Sequence, residues 1–209
     1  MFSPITIDPL LLDVLVAGLF VLVFGFLSYT RREGLSTQFA LEAIGLAAIL
    51  LGGGYLLGVI INPLLLLLLL YLVTLRSRLI VDLANVMAQR HNYKLAYRLY
   101  ALGLAWWPDS ASRLIVLANR GAAELHAGQN EDAIKTIEGV LKAGREHHLG
   151  IKYEAACRYN LAVAYDRSGQ PAKATQLYNE VVELLPGSVY ARAAGGALKR
   201  RREAPKDQT

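Results

Sequence analysis

The 33 residues from Ala43 to Leu75 carry no charge at all. A water-soluble domain cannot hide a run of that length in its core, whereas a bilayer is the solvent such a run suits. About 20 helical residues cross a hydrocarbon core of roughly 30 Å. Taken from Phe39, the run is therefore too long for one crossing and slightly short for two generous ones. A second apolar run, Leu10 to Tyr29, lies upstream. Between Leu10 and Leu75 the charged residues are Asp13, Arg31, Arg32, Glu33 and Glu42. The leader Met1 to Pro9 has no basic stretch, and no small-residue cleavage site follows the first run, so that run is expected to persist as an anchor and not as a cleaved signal.

Two places could divide the longer block. Asn62-Pro63 joins a good helix N-cap to the residue tolerated at the first helical position, and so reads as a helix start. Gly52-Gly53-Gly54 offers a rival turn. The Asn62-Pro63 division predicts spans over about 10–29, 37–61 and 63–81, with Arg76 and Arg78 reaching back to the headgroups. It leaves Gly54 and Gly58, extended by Gly45, Ala48 and Gly52, as a narrow face on which a second helix can approach closely in lipid.

With three spans, Arg31, Arg32, Arg76 and Arg78 fall on one side, and the Ile61-Asn62 turn and the leader lack Lys and Arg. The positive-inside rule makes that side cytoplasmic. The expectation is an integral protein of a bacterial inner (plasma) membrane, with its N-terminus outside and everything after Arg78 inside. Asp8 reads as a helix N-cap. Asp13, one turn deeper, is either an interfacial, hydrated carboxylate or a functional one inside the membrane.

After Arg76 the chain turns amphipathic and helical. Stop signals fall at His91-Asn92, Pro108-Asp109, Gly128-Gln129, Gly150, Gly169-Gln170-Pro171 and Pro186-Gly187, and no run reads as a strand. Residues 76–209 hold 20 Lys and Arg against 13 Asp and Glu, with the densest basic cluster at Lys199, Arg200, Arg201 and Arg202. One frame recurs: Gly128, Ala133, Ile137, then Gly169, Ala174, Tyr178 and a closing Pro186, 41 residues on. An earlier copy runs through Ala96, Tyr100, Gly103 and Pro108. A fixed interval of this size marks stacked helix pairs.

These residues resemble the tetratricopeptide repeat (TPR). Leu161, Ala162, Tyr165, Gly169, Ala174, Tyr178 and Pro186 match its pattern in type and spacing. Gly121, Gly128, Ala133 and Ile137 form a second copy with Glu124 where an aromatic is usual, and Leu83, Ala84, Met87, Ala96, Tyr100, Gly103 and Pro108 form a first. The copies are 37 and 41 residues apart against about 34 in the family, so helices or turns near Ser110 to Arg113 and His147 to Glu154 should be lengthened. The expected fold is all-α: an anchor over 1–75, an α-solenoid of about three TPR-like helix pairs over 76–187, and a capping helix with a basic tail over 188–209. No break is visible between Pro63 and Gln89, so the first repeat helix should continue the third span.

Motifs for catalysis, cofactors or metals are missing: there is no phosphate-binding Gly-rich loop with a following Lys, no H-E-x-x-H and no paired cysteines. The reading is a non-enzyme with no cofactor. Cys157 reads as a buried structural thiol. His147 and His148 are adjacent and so diverge by about 100° on a helix, unsuited to one metal. Trp106 and Trp107 are either ordinary packing or headgroup contacts.

The resemblance implies that the first helix of each pair lines a groove for a partner's peptide segment. It places Asn85, Asn119, Tyr159 and Asn160 on that groove, with His126 and Arg167 at its rim. Val81, Ala156 and Asn160 stand where the family's carboxylate clamp needs basic residues, which argues against capture of a chaperone's C-terminus. The asparagines could instead be plain groove-facing polar residues. Two function classes follow: a membrane-anchored module that recruits or organises a protein partner at the cytoplasmic face, or a structural subunit of a larger membrane complex. Lys199 to Arg202 is a candidate contact for anionic lipid at about 1 kcal/mol per basic residue near the surface, which weakens any case for nucleic acid.

Overall fold

The computed structural model describes residues 8–30, 36–147 and 149–203. The basic flank Arg31-Arg32, the first seven residues, His148 and the tail beyond Glu203 lie outside the described residues. Ten helices and no strands are present among the described residues. Three of them, α1 (Pro9–Thr30), α2 (Thr37–Leu57) and α3 (Pro63–Thr74), form an antiparallel apolar bundle. The rest are α4 (Arg76–Gln89), α5 (Tyr93–Ala105), α6 (Ser110–His126), α7 (Asn130–His147), α8 (Ile151–Arg167), α9 (Pro171–Leu184) and α10 (Val189–Glu203).

Capping side chains set the starts of the bundle helices. Asp8 Oδ1 accepts from the Leu10 and Leu11 amides at 2.8 and 3.2 Å. Ser36 Oγ accepts from Phe39 at 3.1 Å, and Asn62 Oδ1 accepts from Leu64 at 2.9 Å, with Pro63 at the first helical position. Such caps satisfy amides that have no partner inside the helix. The turn is therefore at Asn62-Pro63, and Gly52 to Gly54 remain helical. α2 ends at Leu57, short of the expected 61, because Gly58 takes a left-handed conformation (φ 65°) and closes the helix.

The bundle packs through Ala17, Phe20, Ala43, Ala47, Leu51, Leu66 and Leu70, with Phe20 against Phe24 at 4.6 Å and against Phe39 at 5.9 Å between ring centroids. Most other large side chains point outward, Leu22 at 70%, Leu41 at 71% and Leu56 at 83% exposure. Helices that are apolar all round suit a lipid environment. α1 and α2 are long and apolar enough to cross a membrane. α3, with 12 residues, rises only about 18 Å.

Asp13 is 2% exposed and lines a cavity together with Leu51, Gly54 and Tyr55 of α2. One expectation about the bundle fails: Gly54 and Gly58 do not form a free face for a second helix. Gly58 is the cap, and a Cβ on Gly54 would sit 2.9 Å from the Val59 carbonyl oxygen, since the chain folds back onto it.

α3 and α4 are not one helix. They meet at Leu75 with a bend of 69°, where sequence reasoning expected continuity to Gln89. Helices bend where a side chain enters the hydrogen-bond ladder. Here Thr74 Oγ1 donates to the Leu70 carbonyl at 2.6 Å, and Arg76 Nη1 takes the Val73 carbonyl at 2.7 Å. That carbonyl would serve the Ser77 amide in a continuous helix. Neither Thr nor Arg is a helix breaker by type, so no residue here announces the bend.

From α4 onward the helices pair as α4/α5, α6/α7 and α8/α9, with α10 closing the end. Each pair turns where the stop signals stand, Gly128 (φ 80°) and Gly169 (φ 72°) supplying the left-handed residue that helix ends favour. The extra residues of the longer copies appear as longer helices: 17, 18 and 17 residues in α6, α7 and α8 against 13 and 14 in α5 and α9. Ala84, Ala96, Ala133, Ala162 and Ala174 are fully buried at the crossings, and Tyr100, Ile137, Tyr178 and Val181 fill the space between them. Gly121 marks the closest approach, because a Cβ there would lie 2.6 Å from Ile137 Cγ1. One pair cannot bury such a face alone, so neighbours must stack.

Candidate functional site

A cavity of about 850 Å³ lies where the bundle meets the first repeats. One wall is the last three turns of α1, with Val21, Phe24 and Phe26. The other is the inner face of α4 and α6, with Asp82, Asn85, Ile115 and Asn119. Tyr153 of α8 lines its far edge. Aromatic rings of α1 thus face Asp82, Asn85 and Asn119 across the cleft, and among the described residues its charged lining is Arg78, Asp82 and Asp109.

The polar wall is held by a chain of hydrogen bonds. Tyr100 Oη donates to Asn85 Oδ1 at 2.6 Å, Asn85 Nδ2 to Asn119 Oδ1 at 3.0 Å, and Asn119 Nδ2 to the Ile115 carbonyl at 2.8 Å. Burial pushes the Tyr100 hydroxyl up to about 12, so it stays a donor at neutral pH. A primary amide has two donor hydrogens and an oxygen with two lone pairs. Each asparagine therefore keeps a second N–H and a second lone pair beyond those committed here. A fixed amide with spare capacity can bond the main chain of an extended segment.

The other expected groove residues are placed differently. Tyr159 packs against Tyr178 and Tyr190, at 5.9 and 6.0 Å between ring centroids, and joins the core of the last pair instead of lining the cleft. Asn160, on the same helix, is half-buried and also outside the cleft lining. His126 closes α6, its carbonyl accepting from Tyr93 Oη at 3.2 Å. Arg167 Nη1 donates to the Leu125 carbonyl at 3.0 Å, tying α8 to α6. Of the six residues singled out from sequence, the cleft brings together Asn85 and Asn119. Sequence reasoning missed Arg78 and Asp82, although 78, 82 and 85 recur at one helical face. It could not have found the α1 wall, which no local pattern links to α6.

Arg76 fixes the angle between the two walls. Its guanidinium meets the Glu42 carboxylate at 2.5 and 3.1 Å and donates to the Trp106 and Trp107 carbonyls at 3.0 Å each. Gln38 adds a bond to Trp107 O at 2.9 Å. Trp107 holds a left-handed backbone (φ 50°), which presents its carbonyl to both. Arg76 was expected to reach for headgroups; it is turned inward instead, because a planar fork of N–H groups matches a carboxylate and the Val73, Trp106 and Trp107 carbonyls at once. Both indoles remain open, Trp106 at 52% and Trp107 at 81% exposure.

The basic cluster is likewise divided. Arg201 pairs with Asp166 at 2.6 Å, donates to the Pro171 carbonyl at 2.8 Å and to Thr175 Oγ1, and lies 5.3 Å over the Tyr178 ring. It fastens α10 to the third pair. Lys199 faces Glu203 at 3.8 Å, and Lys199, Arg200 and Arg202 are exposed. Cys157 is buried and its thiol is pushed up to about 12 by that burial, which keeps it unreactive at neutral pH.

Residues 112–186, from the first turn of α6 to the end of the third pair, match the model of the tetratricopeptide repeat family. No curated protein and no solved structure gives a match.

Proposed function

We propose that this chain, whose α6 to α9 carry tetratricopeptide repeat sequence, is a membrane-anchored interaction module that recruits or organises a protein partner at the cytoplasmic face. The observation that carries the reading is the two-sided cleft. Repeats of this family hold protein segments, and here the candidate holding surface, Asn85 and Asn119, shares a cavity with the end of a helix apolar enough to span a bilayer. A segment lying there would place apolar side chains on Phe24 and Phe26 and its backbone toward the amides. The partner is then a polypeptide that approaches along the membrane.

Ala111 lines the cleft, and Ala101 is exposed on α5. Ala111→Trp would fill the cavity, while Ala101→Trp serves as control. Each tagged chain is purified from gently solubilised membranes and its co-purifying proteins are compared. The proposal expects Ala111→Trp to lose a protein that the wild type and Ala101→Trp both retain. It is overturned if all three retain the same set.

One observation favours a structural subunit of a larger membrane complex. Gly45 and Gly52 have no atom within 4 Å of where a Cβ would sit, so with exposed Ala48 they leave a narrow, open strip on α2. Strips of that kind let helices approach closely in lipid. A single stoichiometric complex after gentle extraction, insensitive to Ala111→Trp, would support that reading over recruitment.

A further inference from the structure

At the end of the bundle away from the repeats, the start of α1 and the end of α2 enclose a second cavity of about 290 Å³. Asp13 lines it, is 2% exposed, and its Oδ1 has no hydrogen-bond partner among the described residues. The capping of α1 is done by Asp8, so Asp13 is not needed for that. A buried carboxylate oxygen without a donor is costly unless something supplies one.

The rest of the cavity has the same polarity. α2 ends here, and the Gly58 and Val59 amides turn back to the Tyr55 and Gly54 carbonyls. Gly54, Tyr55 and Gly58, the last turn and cap of α2, stand in the lining itself. The C-terminal end of a helix carries partial negative charge. No Lys, Arg or His stands among the lining residues. Carboxylate and helix end together ask for a cation with N–H groups.

The surroundings say which cation. Asp13 is four residues into α1, about 6 Å along the helix, close to the level where headgroups meet hydrocarbon if α1 crosses the bilayer. The flanks are among the most exposed apolar residues of the chain: Leu56 at 83%, Leu57 at 80%, Ile60 at 77% and Leu64 at 76%. Acyl chains lie on such a surface. We propose that this cavity is a lipid headgroup site that takes the primary ammonium of phosphatidylethanolamine, with Asp13 as the acceptor. A quaternary ammonium has no N–H to give Asp13, and an anionic headgroup is repelled by it. The inference rests on the bundle being membrane-embedded.

The full chain in detergent is titrated with phosphatidylethanolamine, phosphatidylcholine and phosphatidylglycerol, and bound lipid is read by native mass spectrometry. The expected preference for phosphatidylethanolamine is about tenfold, the scale of one charge-assisted hydrogen bond. Asp13→Asn should bring it to parity with phosphatidylcholine, and Asp13→Glu should keep part of it. Equal binding of the three lipids by the wild type overturns the proposal without needing any variant. So does an unchanged preference in Asp13→Asn, or displacement of the lipid by free ethanolamine at equal concentration, which would make the cavity an amine site independent of lipid. Carbonate extraction of membranes is run in parallel. Release of the chain overturns the anchor and this inference together, while a retained chain without lipid preference overturns this inference alone.

Discussion

Among single residues, Tyr165 shows most directly how burial and chemistry are coupled in the repeats. Its ring fills the space between α7 and α8, and its hydroxyl donates to Glu138. Burial and that carboxylate push the hydroxyl up to about 12, against about 10 in an unfolded chain. The folded state therefore holds a proton that the unfolded state releases, and stability must fall as pH rises. The contribution is complete below about pH 10 and is lost on the way to 12. Chemical denaturation of the detergent-solubilised chain from pH 8 to 11.5 should show midpoints that decline above pH 10, with a shallower decline in Tyr165→Phe. An equally steep decline in that variant would remove Tyr165 from the cause. Tyr165 was legible in the sequence because the repeat frame fixes its position, as it does for Asn85 and Asn119. Tyr159 was not: the frame gives the side of α8 it occupies, but its packing depends on Tyr190 of a capping helix whose angle no repeat pattern specifies.

The elements make the same distinction between what is local and what is not. Every turn of the repeat unit lies where glycine, proline or asparagine announces it, and the Asn62 cap decides the turn of the bundle. The bend at Leu75 escaped because its causes are a hydroxyl and a guanidinium acting on carbonyls, and the guanidinium is held by Glu42, far away in sequence. Two glycines on facing helices allow the crossing geometry to be tested. Gly121 sits 2.6 Å, as an added Cβ would measure, from the buried Ile137, whereas Gly139 on α7 meets nothing within 4 Å. Gly121→Ala should cost roughly 1 to 3 kcal/mol through overpacking. Gly139→Ala should add about 0.5 to 1 kcal/mol, the usual difference between the two residues inside a helix. Thermal melts followed by circular dichroism should move in opposite directions, and a fall of equal size in both would refute the close crossing.

At the scale of the molecule, a bundle of apolar helices and an array of repeats are joined at one corner by Arg76, Glu42 and the carbonyls of Trp106 and Trp107. If the bundle crosses the membrane as proposed, the turn between α2 and α3 and the end of α10 lie on opposite sides. In a Cys157→Ser background, Ile60→Cys should react with an impermeant maleimide added to intact cells, and Glu203→Cys should react only after lysis. Reaction of Glu203→Cys from outside would overturn the three-span topology. The composition of the chain made the apolar helices visible, since a charge-free run has few other uses. It could not show that the end of α1 forms one wall of the cleft, because the cleft joins residues some 90 positions apart.

The 69° bend at Leu75 has a kinetic meaning. With α3 upright in a bilayer, α4, whose inner face lines the cleft, runs nearer to the plane of the membrane than to its normal. A partner confined to the same sheet of lipid would then meet the cleft by diffusing in two dimensions, and the membrane would act as a linker of short span. Tethering of that kind raises local concentration to the millimolar range. An interaction too weak to survive dilution in detergent could still be nearly saturated on the membrane, so modest contacts on two asparagine amides would suffice.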